Sequence, residues 1–292
     1  MKKILIALLI GLLILPSALA DITLVDPYAQ AAPENALAEA LAARLEKALG
    51  CAVSVRHEAD EAQAVNAFLA LPDADSALLL CSQEAMILGL QGYTDEDLRT
   101  AVHPVGCVAA SGSRMYAAPG AVELAPDTTQ DALIAYTDEN AYQLCIARLV
   151  DASHTDFLTM QATEEMYVDQ SLYMTFEEAV QAAKDGAPDL IAFSNAMTPD
   201  AAAAYTPLYD AGLPGVWQGL FVKSEGAEQL AQQVAEALPA IYQEEAWQAL
   251  LSQGGYDAEA PVERAAFEET VSDLFRAYVQ YLTNEGLFFY DQ

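Results

Sequence analysis

One stretch near the start, residues 21–56, narrows the fold more than any other part of the chain. It reads as strand, loop, helix, turn and strand. Ile22 and Leu24 belong to a short apolar run that Pro27 stops. After a loop, Ala36, Leu37, Ala40, Leu41, Leu45 and Leu49 recur at helical spacing, with Glu39, Arg44 and Lys47 between them. Asn35 or Glu34 can cap the helix start, and Gly50 ends the helix. Val53 and Val55 form the next strand. Such a unit begins an open parallel sheet. Sheets of this kind bind ligands beyond the carboxyl ends of their strands, where loops meet helix N-termini. Residues 28–35 are therefore the first candidate site, with Tyr28 as a hydrogen-bond donor.

Lys2 and Lys3 precede the apolar residues 4–15, then Pro16, Ser17 and Ala18-Leu19-Ala20. A basic start, an apolar middle and a small-x-small end predict a secretory signal peptide, residues 1–20, cleaved after Ala20. The chain is thus expected at the periplasm or extracellular face. The apolar run is shorter than the roughly 20 residues that span a bilayer. No Cys stands at the cleavage point to carry a lipid. The chain beyond Ala20 is long enough for one large or two medium domains. Asp and Glu number 43 against 12 Lys and Arg, a net charge of −31, so nucleic acid and anionic membranes are repelled. The acid is spread along a chain that is 54% hydrophobic, which argues against disorder and reads as a solvated acidic surface. Cys51, Cys81, Cys107 and Cys145 form an even set that allows three pairings. Cys81 and Cys107 lie in apolar stretches that could be neighbours; buried thiols are the alternative. No CxxC spacing points to a metal.

Further along, the pattern predicts a helix over residues 57–74 with Ala62, Val65, Phe68 and Leu69 inward, then a buried strand ending in Cys81-Ser82-Gln83. Ser82 and Gln83 would then face the same side as Tyr28. Residues 94–100 begin a short helix, 102–110 and 115–118 are extended, and 126–133 are helical. Residues 133–136 read as a strand, 137–140 as a second strand-to-helix loop, and 141–150 as the helix after it. Next come a strand over 157–161, a helix over 175–184 capped by Thr175 with Glu178 completing a capping box, and a strand over 189–193 closing in Ser194-Asn195. Trp217 and its successors are extended, and two long helices, 227–253 and 261–285, close the chain. Strands and helices alternate afresh after about Gly120, which suggests two α/β lobes.

At these positions the chain resembles the extracytoplasmic substrate-binding proteins of tripartite tricarboxylate transporters, the TctC or Bug family. Pro27-Tyr28, Ala31-Ala32, Asn35 and Leu37-Ala38 keep the register of the family's first loop and helix. Leu49-Gly50 precedes the second strand, and Leu78-Leu79-Leu80-Cys81-Ser82 matches a strand ending in small polar residues. Tyr173, Gly186 and Asp189 fall in the family's order. Residues 211–215, Ala-Gly-Leu-Pro-Gly, with Trp217-Gln218-Gly219-Leu220-Phe221 behind them, are the most specific match. The chain departs from the family in having Ala31-Ala32 for Gly-Gly, Asn35 for Asp, no glycine in residues 58–63, and Gln143 where a His would stand.

The resemblance implies an α/β, two-lobe type II periplasmic-binding-protein fold with a cleft between the lobes. Residues 21–118 plus 219–292 would form lobe 1, and residues 119–218 lobe 2. It implies capture of a small carboxylate by a monomer that delivers it to integral membrane transporter subunits. The ligand-binding residues it suggests are Tyr28, Gln30, Ala31, Ala32, Asn35, Ser82, Gln83, Asp138, Asn140, Gln143, Tyr173, Ser194 and Asn195. Backbone N–H groups would do most of the holding, since Arg56, Arg114 and Lys223 are the cations nearest the loops. Asp138 and Glu139 would repel an anion if they point inward. Trp217 reads as packing rather than as a ligand-stacking ring. No HExxH, nucleophile elbow or P-loop occurs, so neither catalytic residues nor a cofactor are expected. Two other readings stay open: a subunit presenting ligand to a membrane receptor kinase, and a degenerate binding fold serving as an interaction protein.

Overall fold

Strand β1 (Ile22–Asp26) is buried along most of its length, and everything near it is arranged by that burial. The structure, a computed structural model, describes residues 20–27, 35–111, 113–118, 124–140, 145–149, 169–173, 178, 181–182, 185, 189–194, 205–208, 216–253, 256 and 264–284. Residues 1–19 of the expected signal peptide, the 157–161 strand, most of the 175–184 helix and the 211–215 turn lie outside them. Helix α1 (Asn35–Leu49) carries the chain from β1 to β2 (Val53–His57), which pairs with it in parallel. Gly50 takes φ +71, the left-handed conformation that closes a helix, and its N–H bonds Glu46 O at 2.9 Å. This strand–helix–strand unit is as the apolar periodicity predicts.

Helix α2 (Glu61–Leu69) starts later and ends sooner than the sequence suggests, capped by Asp60, whose side chain accepts from Gln63 N. Strand β3 (Ala77–Ser82) is wholly buried because both of its faces are covered. Leu78 and Leu80 pack with Leu37, Leu41 and Leu45 on one side. Ala77, Leu79 and Cys81 pack with Val65, Phe68 and Met86 on the other. Helix α3 (Gln83–Leu90) begins at once, with Ser82 as its cap. After the short α4 (Leu98–Ala101) come β4 (Val102–Ser111) and β5 (Ser113–Ala117), separated by a single residue.

Helix α5 (Gln130–Asn140) replaces the strand expected over 133–136 and the loop expected over 137–140. Leu133 and Thr137, four residues apart, are its two buried positions, so the short apolar run belongs to a helix face. The helix expected over 141–150 contains instead β6 (Cys145–Leu149). Strands β7 (Asp169–Tyr173), β8 (Leu190–Ser194), β9 (Thr206–Leu208) and β10 (Val216–Lys223) come next. Of the two closing helices, the first is divided into α6 (Glu228–Tyr242) and α7 (Glu245–Gln253), and α8 (Arg264–Asn284) is the second.

The strands form two five-stranded sheets, ordered β2-β1-β3-β10-β4 and β7-β6-β8-β5-β9. The two orders are the same plan. In each, a first strand lies between two parallel neighbours, and the fourth strand runs antiparallel to the third. The antiparallel members, β10 and β5, belong to the segments by which the chain passes between the sheets. This is the two-lobe α/β fold expected from the sequence.

Among the described residues Cys51, Cys81 and Cys107 are thiols. Cys81 and Cys107 both pair in register with Gly219, one on each side of β10. Two inter-strand steps of about 4.8 Å separate their backbones, beyond disulfide reach. Gly219 is required by close packing: a Cβ there would stand 2.4 Å from Phe267 Cζ.

Candidate functional site

In an open sheet, the crevice lies at the carboxyl ends of the strands on either side of the point where strand order reverses. That point falls between β1 and β3 in the first sheet and between β6 and β8 in the second. The register shows where these ends sit. Ser82, the last residue of β3, pairs with Gln218 of β10, which pairs with Ala109 of β4. Ser194, the last residue of β8, pairs with Ser113 of β5. Ser111 and Ser113 are two residues apart and so at most about 7 Å from each other. The carboxyl ends of β3 and β8 therefore flank the same crossing of the chain.

On the first-sheet side, Ser82 and Gln83 are both buried and engaged. Ser82 Oγ donates to Glu61 Oε1 at 2.7 Å and accepts from Glu84 N at 3.1 Å. Ser82 N–H donates to the same Glu61 oxygen at 3.1 Å. Gln83 Oε1 accepts from Trp217 N at 3.3 Å, tying α3 to the start of β10. Trp217 is buried and packs on Phe267, ring edge to face at 5.1 Å.

Sequence reasoning does not single out Glu61. At 8% exposure it is buried, and its second oxygen, Oε2, is buried with no hydrogen-bond partner among the described residues. Burial, and then the charges of Glu84 and Asp26, outweigh the Ser82 hydrogen bonds and push its carboxyl up to about 8. Asp26, at the end of β1, is fully buried and receives His57 Nδ1 at 2.9 Å, while His57 Nε2 meets Glu39 Oε1 at 3.2 Å. Partial burial opposes the charged imidazole, but the bonds and charges of Asp26 and Glu39 outweigh it and raise its titration. A helix opening with Asp-Glu is a signal for an acidic N-terminus; nothing in the sequence tells that this Glu turns inward.

The remaining candidates fall in several places. Tyr28, Gln30, Ala31, Ala32, Gln143 and Asn195 lie outside the described residues. Asn35 is the first residue of α1, at a helix N-terminus beyond β1. Tyr173 and Ser194 end the parallel strands β7 and β8. Asp138 and Asn140 do not occupy a strand-to-helix loop: they lie in the last turn of α5, where unpaired carbonyls give the helix end a partial negative charge. Asp138 and Glu139 are exposed, and Asn140 Nδ2 donates to Tyr136 O at 2.9 Å. Of the cations, Arg56 bonds Glu58 at 2.7 Å. Lys223 Nζ donates to the carbonyls of Leu69 and Leu71, at the end of α2. Among the described residues no cluster of His, Cys, Asp and Glu could hold a metal ion.

No family model and no curated protein matches this sequence. Solved structures do match. A TctC solute-binding protein from Polaromonas, without ligand, superposes with a TM-score of 0.71 at 16% identity, covering 93% of this chain and 99% of that one. MatC from Rhodopseudomonas palustris, with bound malate, gives 0.58 at 16% identity, over 90% and 98%. A second R. palustris protein, with adipate, gives 0.57 at 15% identity, over 93% and 98%. Over nearly its full length, then, this chain has the fold of the TctC-type periplasmic solute-binding proteins.

Proposed function

We propose that this chain is an exported solute-binding protein that captures a small carboxylate for a tripartite tricarboxylate-type membrane transporter. The first lobe carries the sheet β2-β1-β3-β10-β4 and the second the sheet β7-β6-β8-β5-β9, so β5 (Ser113–Ala117) falls in lobe 2 and the whole of β10 (Val216–Lys223) in lobe 1. This moves the lobe bounds from 118/119 and 218/219 to near residue 112 and to between residues 208 and 216. The observation that carries this reading is the convergence of two like-ordered sheets: the carboxyl ends of β3 and β8 flank one crossing of the chain. Parallel-strand ends supply helix N-termini and outward backbone N–H groups, which hold anions without a cation. Malate in MatC and adipate in the second R. palustris protein support a dicarboxylate as the solute class. Tyr28 and the N–H groups of Gln30, Ala31, Ala32 and Asn35 hold it from lobe 1; Tyr173, Ser194, Asn195 and Gln143 meet it from lobe 2. The work is capture and closure, with no bond made or broken. The closed protein then docks on the integral membrane subunits.

A thermal-shift screen of the purified chain against dicarboxylates, tricarboxylates, acidic amino acids and amines tests this. Carboxylates raise the melting temperature, and Tyr28→Phe combined with Ser82→Ala abolishes the rise. Stabilisation by amines alone, or by nothing in the panel, contradicts it.

A further inference from the structure

Resting on the carboxylate reading, we propose that Glu61 is a binding residue of this site, whose carboxyl, held by Ser82 through Oε1, donates a hydrogen bond from Oε2 to the carboxylate of a bound solute. Glu61 opens α2 just beyond β2, and its carboxyl reaches the carboxyl end of β3 at the switch point of the sheet. Oε1 accepts from both the N–H and the hydroxyl of Ser82. Two donors on one oxygen leave the acid proton to the other. Oε2 is buried and meets no hydrogen-bond partner among the described residues. A buried O–H without an acceptor is costly, and most such groups in native proteins are satisfied. A carboxylate oxygen brought to Oε2 supplies the missing acceptor, in a short, charge-assisted bond.

The surrounding groups favour this protonation state. Asp26 from β1 and Glu84 from α3 face Glu61 with negative charge, and the Cys81 thiol of β3 lies within its field. His57 of β2, the basic group of this set, is engaged by Asp26 and Glu39. Among these described neighbours no cation is left to offset an anion, and the strand end tolerates one because Glu61 carries its own proton. Above about pH 8 Glu61 ionises, and solute binding must then take up one proton from solvent.

The test is isothermal titration calorimetry with malate and adipate as probes, at about pH 7 and about pH 9, in two buffers of different ionisation enthalpy. Wild type binds about tenfold more weakly at the higher pH, with close to one proton taken up per solute there. Glu61→Gln keeps an acceptor for Ser82 and places an N–H₂ donor at the second position. It holds the wild-type affinity within about threefold and loses the pH dependence. Glu61→Ala, with its fold checked by circular dichroism, binds at least about tenfold more weakly. Equal wild-type affinity at both pH values, unchanged in both variants, overturns the role of Glu61 and leaves the carboxylate reading standing. Failure of wild type and both variants to bind either probe overturns the carboxylate reading, and the role of Glu61 with it.

Discussion

At the scale of single residues, the physics is concentrated in one buried acid. Glu61 is protonated in the folded chain up to about pH 8, whereas its ordinary value, which holds in the unfolded chain, is 4.5. Between these values the folded state binds one more proton than the unfolded state. Stability therefore falls as pH rises through this window, and the full loss is present above pH 8. At about 1.4 kcal/mol per unit, the loss amounts to a few kcal/mol. Glu61→Gln removes it. Urea titrations at about pH 5 and about pH 9 will show the variant close to wild type at the lower pH and more stable at the higher one. An equal gain at both pH values would mean that the carboxyl is not the titrating group. His57 is also raised, but its charged form is the one its partners favour. Its contribution to stability is complete below its unfolded value and fades as pH rises through the folded one.

At the scale of elements, β10 is held by what fills the space above its glycine. Phe267 of α8 lies over Gly219 and packs with Trp217 and Phe221, so α8 keys into the sheet at a position without a side chain. Phe267→Ala opens a cavity there and costs about 3–5 kcal/mol. Hydrogen exchange would show α8 losing protection before β3. Uniform loss throughout the lobe would contradict a local key. The same scale shows how much a sequence can reveal. α1 and β2 are legible because their apolar residues repeat at the spacing of the element they form, and β1 and β3 because each is a short apolar run of strand length. α5 is not: Leu133 to Tyr136 is short enough to pass for a strand, and only the i, i+4 burial of Leu133 and Thr137 reveals a helix. β6 reads as helix because Ala147, Arg148 and Leu149 are good helix formers, and the parallel pairing with β7 and β8 overrides that preference. Ser82 and Gln83 are legible as a strand end. Their engagement by Glu61 and Trp217 is not, since both partners are distant in sequence.

At the scale of the whole molecule, the repeated strand order carries the account. Two sheets of one plan, joined at adjacent crossings, place the carboxyl ends of β3 and β8 beside the same crossing of the chain. Such an arrangement suits a clamp, because few residues have to change conformation for the lobes to approach. Closure around a solute is the central claim, and small-angle X-ray scattering on the chain with and without saturating malate or adipate tests it most directly. A smaller radius of gyration with the solute that shifts the melting temperature, and no change with an inert sugar, is the predicted result. A solute that binds while the radius of gyration stays unchanged would contradict it.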